Sequence, residues 1–313
     1  MKYNRLISQS HLVSEVGFGA WQLGKGSSWA SMTEEEAIEL VLEALDLGVN
    51  FFDTAPNYGF GTSEKRLGRA LKAVDREKVV INTKFGHTVN GELDFRFEAI
   101  RPSLEGSLRR LDMDYVDSLI LHNPPFSYLN GFENPHYEIL EQLKSEGKIR
   151  AYGASLDHAD EMKEFINGTN GKVIEAFFNI FHQGVAEAFD LALKNDVRII
   201  AKIPLDSGWL TGKYHDQSTF NDIRKRWSTA DITLRASLVE KLKTILPAEQ
   251  SLTQTALSFC MAYEAVSTVI PGNKNKAQLR QNVASTHSPM PKAARERIEQ
   301  FFKTVVEPHN IPW

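Results

Sequence analysis

With 313 residues, 42% hydrophobic and 24% charged, the chain is long enough to bury a sizeable core. A formal net charge of −4 with dispersed Lys and Arg gives no electrostatic footprint for nucleic acid, and no run approaches the roughly 18 apolar residues that cross a bilayer. The single cysteine, Cys260, excludes an internal disulfide and sits in an apolar run that reads as a buried helix. No Pro/Gly/Ser linker divides the chain, so a single domain over 1–313 is expected. Met1-Lys2-Tyr3-Asn4-Arg5 leads into no signal-type apolar segment, and a cytoplasmic, reducing location is expected.

Along the chain, residues 1–15 set Leu6-Ile7 and Leu12-Val13 around polar turn residues, a pattern that predicts a small hairpin able to plug the bottom of a barrel. Strand-like runs then alternate with helix-like stretches. The predicted strands are 16–19, 50–55, 79–85, 116–121, 149–154, 173–178, 197–203 and 267–270. The first helix opens on the capping box Thr33-Glu34-Glu35-Glu36, carries Ile38, Val41, Leu42 and Leu45 at helical spacing, and stops at Gly48. Further helices are predicted at 63–71, 101–111, 135–146, 157–165, 184–193 and 276–284. Two helices, 234–246 and 252–264, stand between the seventh and eighth strands, and 291–305 reads as a last helix outside the ring. Eight parallel strands in one unit favour a closed (β/α)8 TIM barrel, here with an N-terminal β-hairpin and extra helices, over a doubly wound sheet.

Asp53, Tyr58, Lys84 and His122 each fall at or just beyond the end of a separate predicted strand, where barrel residues far apart in sequence share one pocket. A free tyrosine titrates near ~10 and holds its proton at neutral pH. Lys84 would lower that value and make Tyr58 a better general acid, Asp53 would keep Lys84 charged, and His122 would orient a carbonyl oxygen. Taken singly, Asp53 could cap a turn, Lys84 could be solvated, His122 could bond the loop backbone and Tyr58 could pack as a lid. Their joint placement favours carbonyl chemistry.

Phe52-Asp53-Thr54-Ala55-Pro56-Asn57-Tyr58-Gly59, then Ser63-Glu64 and Gly68, then Ser107-Leu108-Arg109-Arg110-Leu111 through Asp114-Tyr115-Val116-Asp117 to His122, resemble the signatures of the aldo-keto reductases. The resemblance runs from Gly17-Phe18-Gly19-Ala20-Trp21 to Ile270-Pro271-Gly272 and Asn282. It implies Tyr58 as proton donor, Asp53, Lys84 and His122 completing a tetrad, no metal, and a monomeric barrel passing hydride between NADP(H) and an aldehyde, ketone or sugar, with NAD(H) a possible substitute. It further implies cofactor contacts at Gly19, Ala20, Trp21, Asp53, Ser155 and Glu175; at Lys202, Ile203, Pro204 and Leu205; at Gly208 and Leu210 in a loop that covers the pyrophosphate; and at Gly272, Asn273, Lys274, Gln278, Gln281 and Asn282 around a 2′-phosphate. Gln278 stands where relatives often have Arg, leaving Lys274 as the main cation. Leu156 stands where many have Asn, and Lys202 where many stack an aromatic ring, so its ammonium is expected to reach a cofactor phosphate instead. Trp21, Trp29, Tyr58, His122 and Phe126 are the candidate substrate walls.

Two other readings stay open. A Schiff-base lyase would use Lys84 as nucleophile, which requires a neutral amine that Asp53 opposes. A nucleotide-sensing module would retain NADPH with little turnover, as potassium-channel β subunits of this family do. A metal-dependent hydrolase is disfavoured because the first strand ends Gly17-Phe18-Gly19 without a His-x-His pair.

Overall fold

The computed structural model describes residues 1–8, 12–26, 32–132, 134–247 and 251–313. Strands β1 (Tyr3–Arg5) and β2 (Leu12–Ser14) form an antiparallel hairpin. Eight parallel strands follow: β3 (Phe18–Gly19), β4 (Phe51–Asp53), β5 (Val80–Phe85), β6 (Val116–His122), β7 (Ile149–Leu156), β8 (Val173–Phe177), β9 (Arg198–Lys202) and β10 (Val266–Ile270). Each pairs with the next in sequence order, and the parallel bridges Val16–Val269 and Gly19–Gly272 join the two outer strands into a barrel. Gly19 allows that closure, because a Cβ there would stand 2.8 Å from the Ile270 carbonyl oxygen.

The helices are α1 (Glu34–Asp46), α2 (Thr62–Leu71), α3 (Ile100–Leu111), α4 (His136–Ser145), α5 (Ala159–Gly168), α6 (Phe189–Lys194), α7 (Thr229–Ile245), α8 (Leu252–Met261), α9 (Lys276–Ala284) and α10 (Lys292–Phe301). The α1 capping box forms as expected: Glu36 N donates to Thr33 Oγ1 and Thr33 N to Glu36 Oε2. Its buried stripe is Ala37, Leu40, Val41 and Ala44, while Leu42 is exposed. Of the expected stripe, Val41 is buried and Ile38 and Leu45 pack partly buried against the core, while the face centres on Ala37, Leu40 and Ala44 and leaves Leu42 outside. The predicted helix at 184–193 is a 3₁₀ stretch, Gly184–Ala188, running into the short α6. The last helix passes through a wider π-turn, Phe302–Val306, after α10.

Register makes the barrel interior a stack of layers. Phe51 pairs with Val80 and Asp53 with Asn82; Lys84 pairs with Ile120, His122 with Ser155, Ser155 with Glu175 and Phe177 with Lys202. With a side-chain period of two, the apolar residues Phe51, Val80, Ala151, Val173 and Ile200 fill the N-terminal end, and polar residues occupy the C-terminal layers of the same strands. Leu6 and Val13 of the hairpin pack onto that apolar layer, which is the plug expected from the sequence. Asn50 clamps the plug: its Oδ1 accepts Ser14 N at 2.7 Å and its Nδ2 donates to the Leu12 carbonyl at 2.8 Å. Leu6→Ala should lower unfolding stability by about 2–4 kcal/mol, read as a shift in the urea midpoint, because the vacated volume lies against a rigid strand layer. Affinity for any ligand at the opposite face should be unchanged.

Candidate active site

At the C-terminal face, Asp53 ends β4, Lys84 is the penultimate residue of β5 and His122 ends β6. Tyr58 follows β4 in a tight turn, with its N–H on the Ala55 carbonyl and its own carbonyl accepting Ser63 N. The four converge. Lys84 Nζ lies 2.5 Å from Asp53 Oδ1, 3.1 Å from Glu175 Oε2 and 5.2 Å from the centre of the Tyr58 ring. The Tyr58 and His122 rings meet edge to face at 6.0 Å, and Trp21 stacks on the other side of Tyr58 at 5.7 Å. Asn82 ties the layer together, donating to Asp53 Oδ1 at 2.7 Å and accepting from Ser118 Oγ.

Electrostatics follow from burial. Lys84 has no solvent exposure; burial opposes its charge, but the Asp53 and Glu175 carboxylates outweigh that and hold the ammonium above the ordinary lysine range. A nucleophilic, neutral amine is disfavoured by the same contacts. Burial pushes the Tyr58 phenol up; Lys84 pulls it down, and Asp53 and Glu175 raise it again. The expectation of an acidified resting tyrosine is thus corrected: the cation is present, but desolvation and two carboxylates outweigh it. Burial, then the charges of Lys84, His87 and Lys202, depress His122 well below the usual imidazole value, so its ring is neutral. His87 stacks on it at 4.4 Å. Burial and the neighbouring Asp53 raise Glu175 to about 7.

A cavity of about 540 Å³ opens over this layer. Tyr58, His122, Trp21 and Asp53 line one end, with Ser155, Glu175 and Lys202 beside them; Gly19 and Gly272, the strip Ile203-Pro204-Leu205, and Gly208, Lys274, Gln278, Gln281 and Asn282 continue the wall. Other expected residues stand behind it. Lys84 is sealed beneath the cavity floor, and the fully buried Ala20 holds its carbonyl on Ser63 Oγ. Leu210 is part of the hydrophobic core, and Asn273 is turned inward onto the Pro271 carbonyl and Asn282. Phe126 heads the 3₁₀ turn Phe126–Tyr128, half exposed and away from the wall, because that turn carries its ring outward. Trp29 lies outside the described residues.

The far end is more cationic than the sequence indicated. Lys213, Arg224 and Lys274 line it together, and burial followed by Arg224 depresses Lys274. Arg224 is braced by Asp222 Oδ1 at 2.8 Å and by the Tyr214 hydroxyl. Its position, in the long connection after β9, had no local signal. Gln278 uses Oε1 to accept Lys274 N at 3.0 Å, so it shapes the turn at the start of α9. Over this end, Asp206, Ser207 and Gly208 have φ of 45°, 53° and 102°, a left-handed run in which Gly208 alone is without steric penalty. Lys202 does not reach toward the cations. Its Nζ is held by Ser155 Oγ, Asn123 Oδ1 and Asp157 Oδ1. Asn123 and Asp157, each one or two residues beyond a residue singled out from the sequence, were missed, as was Trp313.

The wall fits a nicotinamide dinucleotide. Three of its buried atoms, Gln22 Oε1, Asn57 Oδ1 and His122 Nδ1, have no hydrogen-bond partner among the described residues, and the cations gather at one end as a phosphate-bearing group requires. Among the described residues no cluster of His, Cys, Asp and Glu could hold a metal ion, and no helix is long and apolar enough to cross a membrane.

His122 and Glu175 should oppose each other in acid. His122, depressed in the folded state, contributes stability that is present above about pH 6.5 and lost as pH falls toward its folded value; Glu175, raised, contributes stability present below its unfolded value and lost as pH rises through about 7. Chemical denaturation of the His122→Gln protein should show a gain in stability relative to wild type on going from pH 7 to 5, and the Glu175→Gln protein a loss. The slopes should approach about 1.4 kcal/mol per pH unit.

The chain matches the description "Aldo/keto reductase family" over residues 15–303. It is 31% identical over 309 residues to L-galactose dehydrogenase of Arabidopsis thaliana, covering 96% of this chain and 93% of that one. It is 31% identical to the NADH-specific methylglyoxal reductase of Escherichia coli, covering 87% and 90% respectively. The holo form of aldo-keto reductase AKR11C1 from Bacillus halodurans is similar at 29% identity with a TM-score of 0.82, covering 98% of both chains. Motif order, barrel and site geometry thus agree: the chain belongs to the aldo/keto reductase family.

Proposed function

We propose that residues 1–313 act as one barrel that passes hydride between NADP(H) and a small aldehyde, ketone or sugar, with Tyr58 as general acid and base. Family membership makes the chain a nicotinamide-dependent oxidoreductase of small carbonyl compounds. The observation that carries the finer reading is the meeting of Tyr58, His122 and the buried Lys84–Asp53 pair at one end of a cavity whose other end holds Lys213, Arg224 and Lys274.

A bound nicotinamide supplies hydride at the carbonyl carbon. The phenol of Tyr58, protonated at neutral pH as any tyrosine is and bound to its proton more firmly by burial, gives that proton to the carbonyl oxygen as negative charge develops there. Lys84, 5.2 Å from the ring centre, stabilises the phenolate that remains, and Asp53 keeps that ammonium in place. Neutral His122 orients the carbonyl oxygen without competing as an acid. Trp21 and the cavity wall exclude water and set the substrate against the phenol.

The three cations support a 2′-phosphate and hence NADP(H) over NAD(H). A relative named NADH-specific makes the comparison of the two a direct test. Tyr58→Phe should lower kcat by roughly 10²–10⁴-fold toward methylglyoxal and aldose substrates, with cofactor affinity retained in fluorescence titration. Unaltered turnover would refute the assignment. Lys274→Ala and Arg224→Ala should each weaken NADPH binding by at least about tenfold and NADH binding much less, as expected for loss of a charge-assisted phosphate contact.

A further inference from the structure

Lys202 is a charge inside the cavity for which the proton-transfer machinery has no use. The last residue of β9, it is 9% exposed, and its Nζ lies 2.7 Å from Ser155 Oγ, 3.0 Å from Asn123 Oδ1 and 2.8 Å from Asp157 Oδ1. The acceptors belong to neighbouring strand ends and are themselves connected. Ser155 Oγ donates to Asn123 Oδ1 at 3.0 Å, and Asn123 Nδ2 to Asp157 Oδ2 at 2.8 Å. Asn123 holds this position with φ of 52°, a left-handed conformation that asparagine tolerates. The ammonium therefore belongs to a braced wall rather than to a mobile side chain.

That wall borders the reacting end. Ser155, Glu175 and Lys202 line the cavity on the strand ends next to His122, so a carbonyl whose oxygen faced Tyr58 and His122 would have these residues beside it, and they would face the pyridine ring of a dinucleotide held there. The ring is neutral when reduced and a cation when oxidised. A fixed ammonium nearby disfavours only the oxidised form. Of the other groups facing this end, Lys84 is engaged by Asp53 and by Glu175, whose carboxyl is raised to about 7 and only partly charged at neutral pH, and His122 is neutral. The counter-charge is Asp157, whose side chain is 33% exposed against 11% for Lys202, so water screens the carboxylate more than the ammonium.

We propose that Lys202, with Asp157 as its counter-charge, tunes the redox preference of the site, making it hold the reduced dinucleotide more tightly than the oxidised one while it positions Ser155 and Asn123. The inference rests on the dinucleotide reading above. It also accounts for a lysine where a stacking ring is common: attraction to either redox state is exchanged for discrimination between them.

The test is the ratio of dissociation constants, Kd(NADP+)/Kd(NADPH), with NADPH followed by fluorescence and NADP+ by competition. Lys202→Met and Lys202→Gln, the latter retaining a hydrogen-bond donor, should each lower the ratio by on the order of tenfold. Asp157→Asn should raise it. A purely positioning role would weaken both forms in equal proportion, so loss of affinity with an unchanged ratio in the Met and Gln proteins overturns the inference. Wild-type protein that binds neither dinucleotide overturns the cofactor reading itself, a separate result.

Discussion

A lysine ammonium with no access to water can remain charged only where carboxylates surround it, and Lys84 meets Asp53 and Glu175 within 3.1 Å. Such a pair is costly to bury, and removing one partner leaves an uncompensated charge in the interior. Three strands must therefore hold register together: β4 for Asp53, β5 for Lys84 and β8 for Glu175. A slip of one residue in any of them would turn the polar group out of the barrel and put an uncharged neighbour, such as Phe52, Phe85 or Ile174, in its place. The apolar N-terminal layer sealed by Leu6 and Val13 resists such a slip from below.

The same arrangement sets the character of the phenol above. Desolvation makes Tyr58 hold its proton more firmly than a free tyrosine, and the carboxylates that fix Lys84 also partly shield its charge. In the proposed reaction the cation acts on charge that develops when a phenolate forms beside it, rather than on the resting state. Neutral His122 belongs to the same logic, since a second full charge on that wall would be repelled by Lys84 and Lys202. The catalytic proposal therefore depends on preorganised charge in a dry layer, where such interactions are strong.

The far end of the cavity is built differently. Its cations come from a long connection and a helix start rather than from strand interiors, and Arg224 depends on Asp222 and Tyr214 for its direction. The left-handed run at Asp206, Ser207 and Gly208 bends the chain over this end. Loops can vary there without disturbing the barrel, which separates the cationic end from the rigid layer carried by the strands.

Alternating strand and helix patterns, the capping box at Thr33 and the motif run from Phe52 to Gly59 made the barrel, and the convergence of Asp53, Tyr58, Lys84 and His122 at one face of it, legible in the sequence. Those features depend on local periodicity and on residues at strand ends, whose positions in a parallel barrel follow from topology alone. The centring of the α1 face on Ala37, Leu40 and Ala44, the inward turn of Asn273 and Leu210, the outward Phe126, and the capture of Lys202 by Asn123 and Asp157 were decided only by tertiary packing. The same is true of Arg224, whose part in the cavity is created by partners rather than by its neighbours in sequence. Sequence determined which groups reach the C-terminal face; folding decided which are buried, which are paired and hence how strongly each holds its proton, because desolvation and charge contacts exist only once distant segments have met.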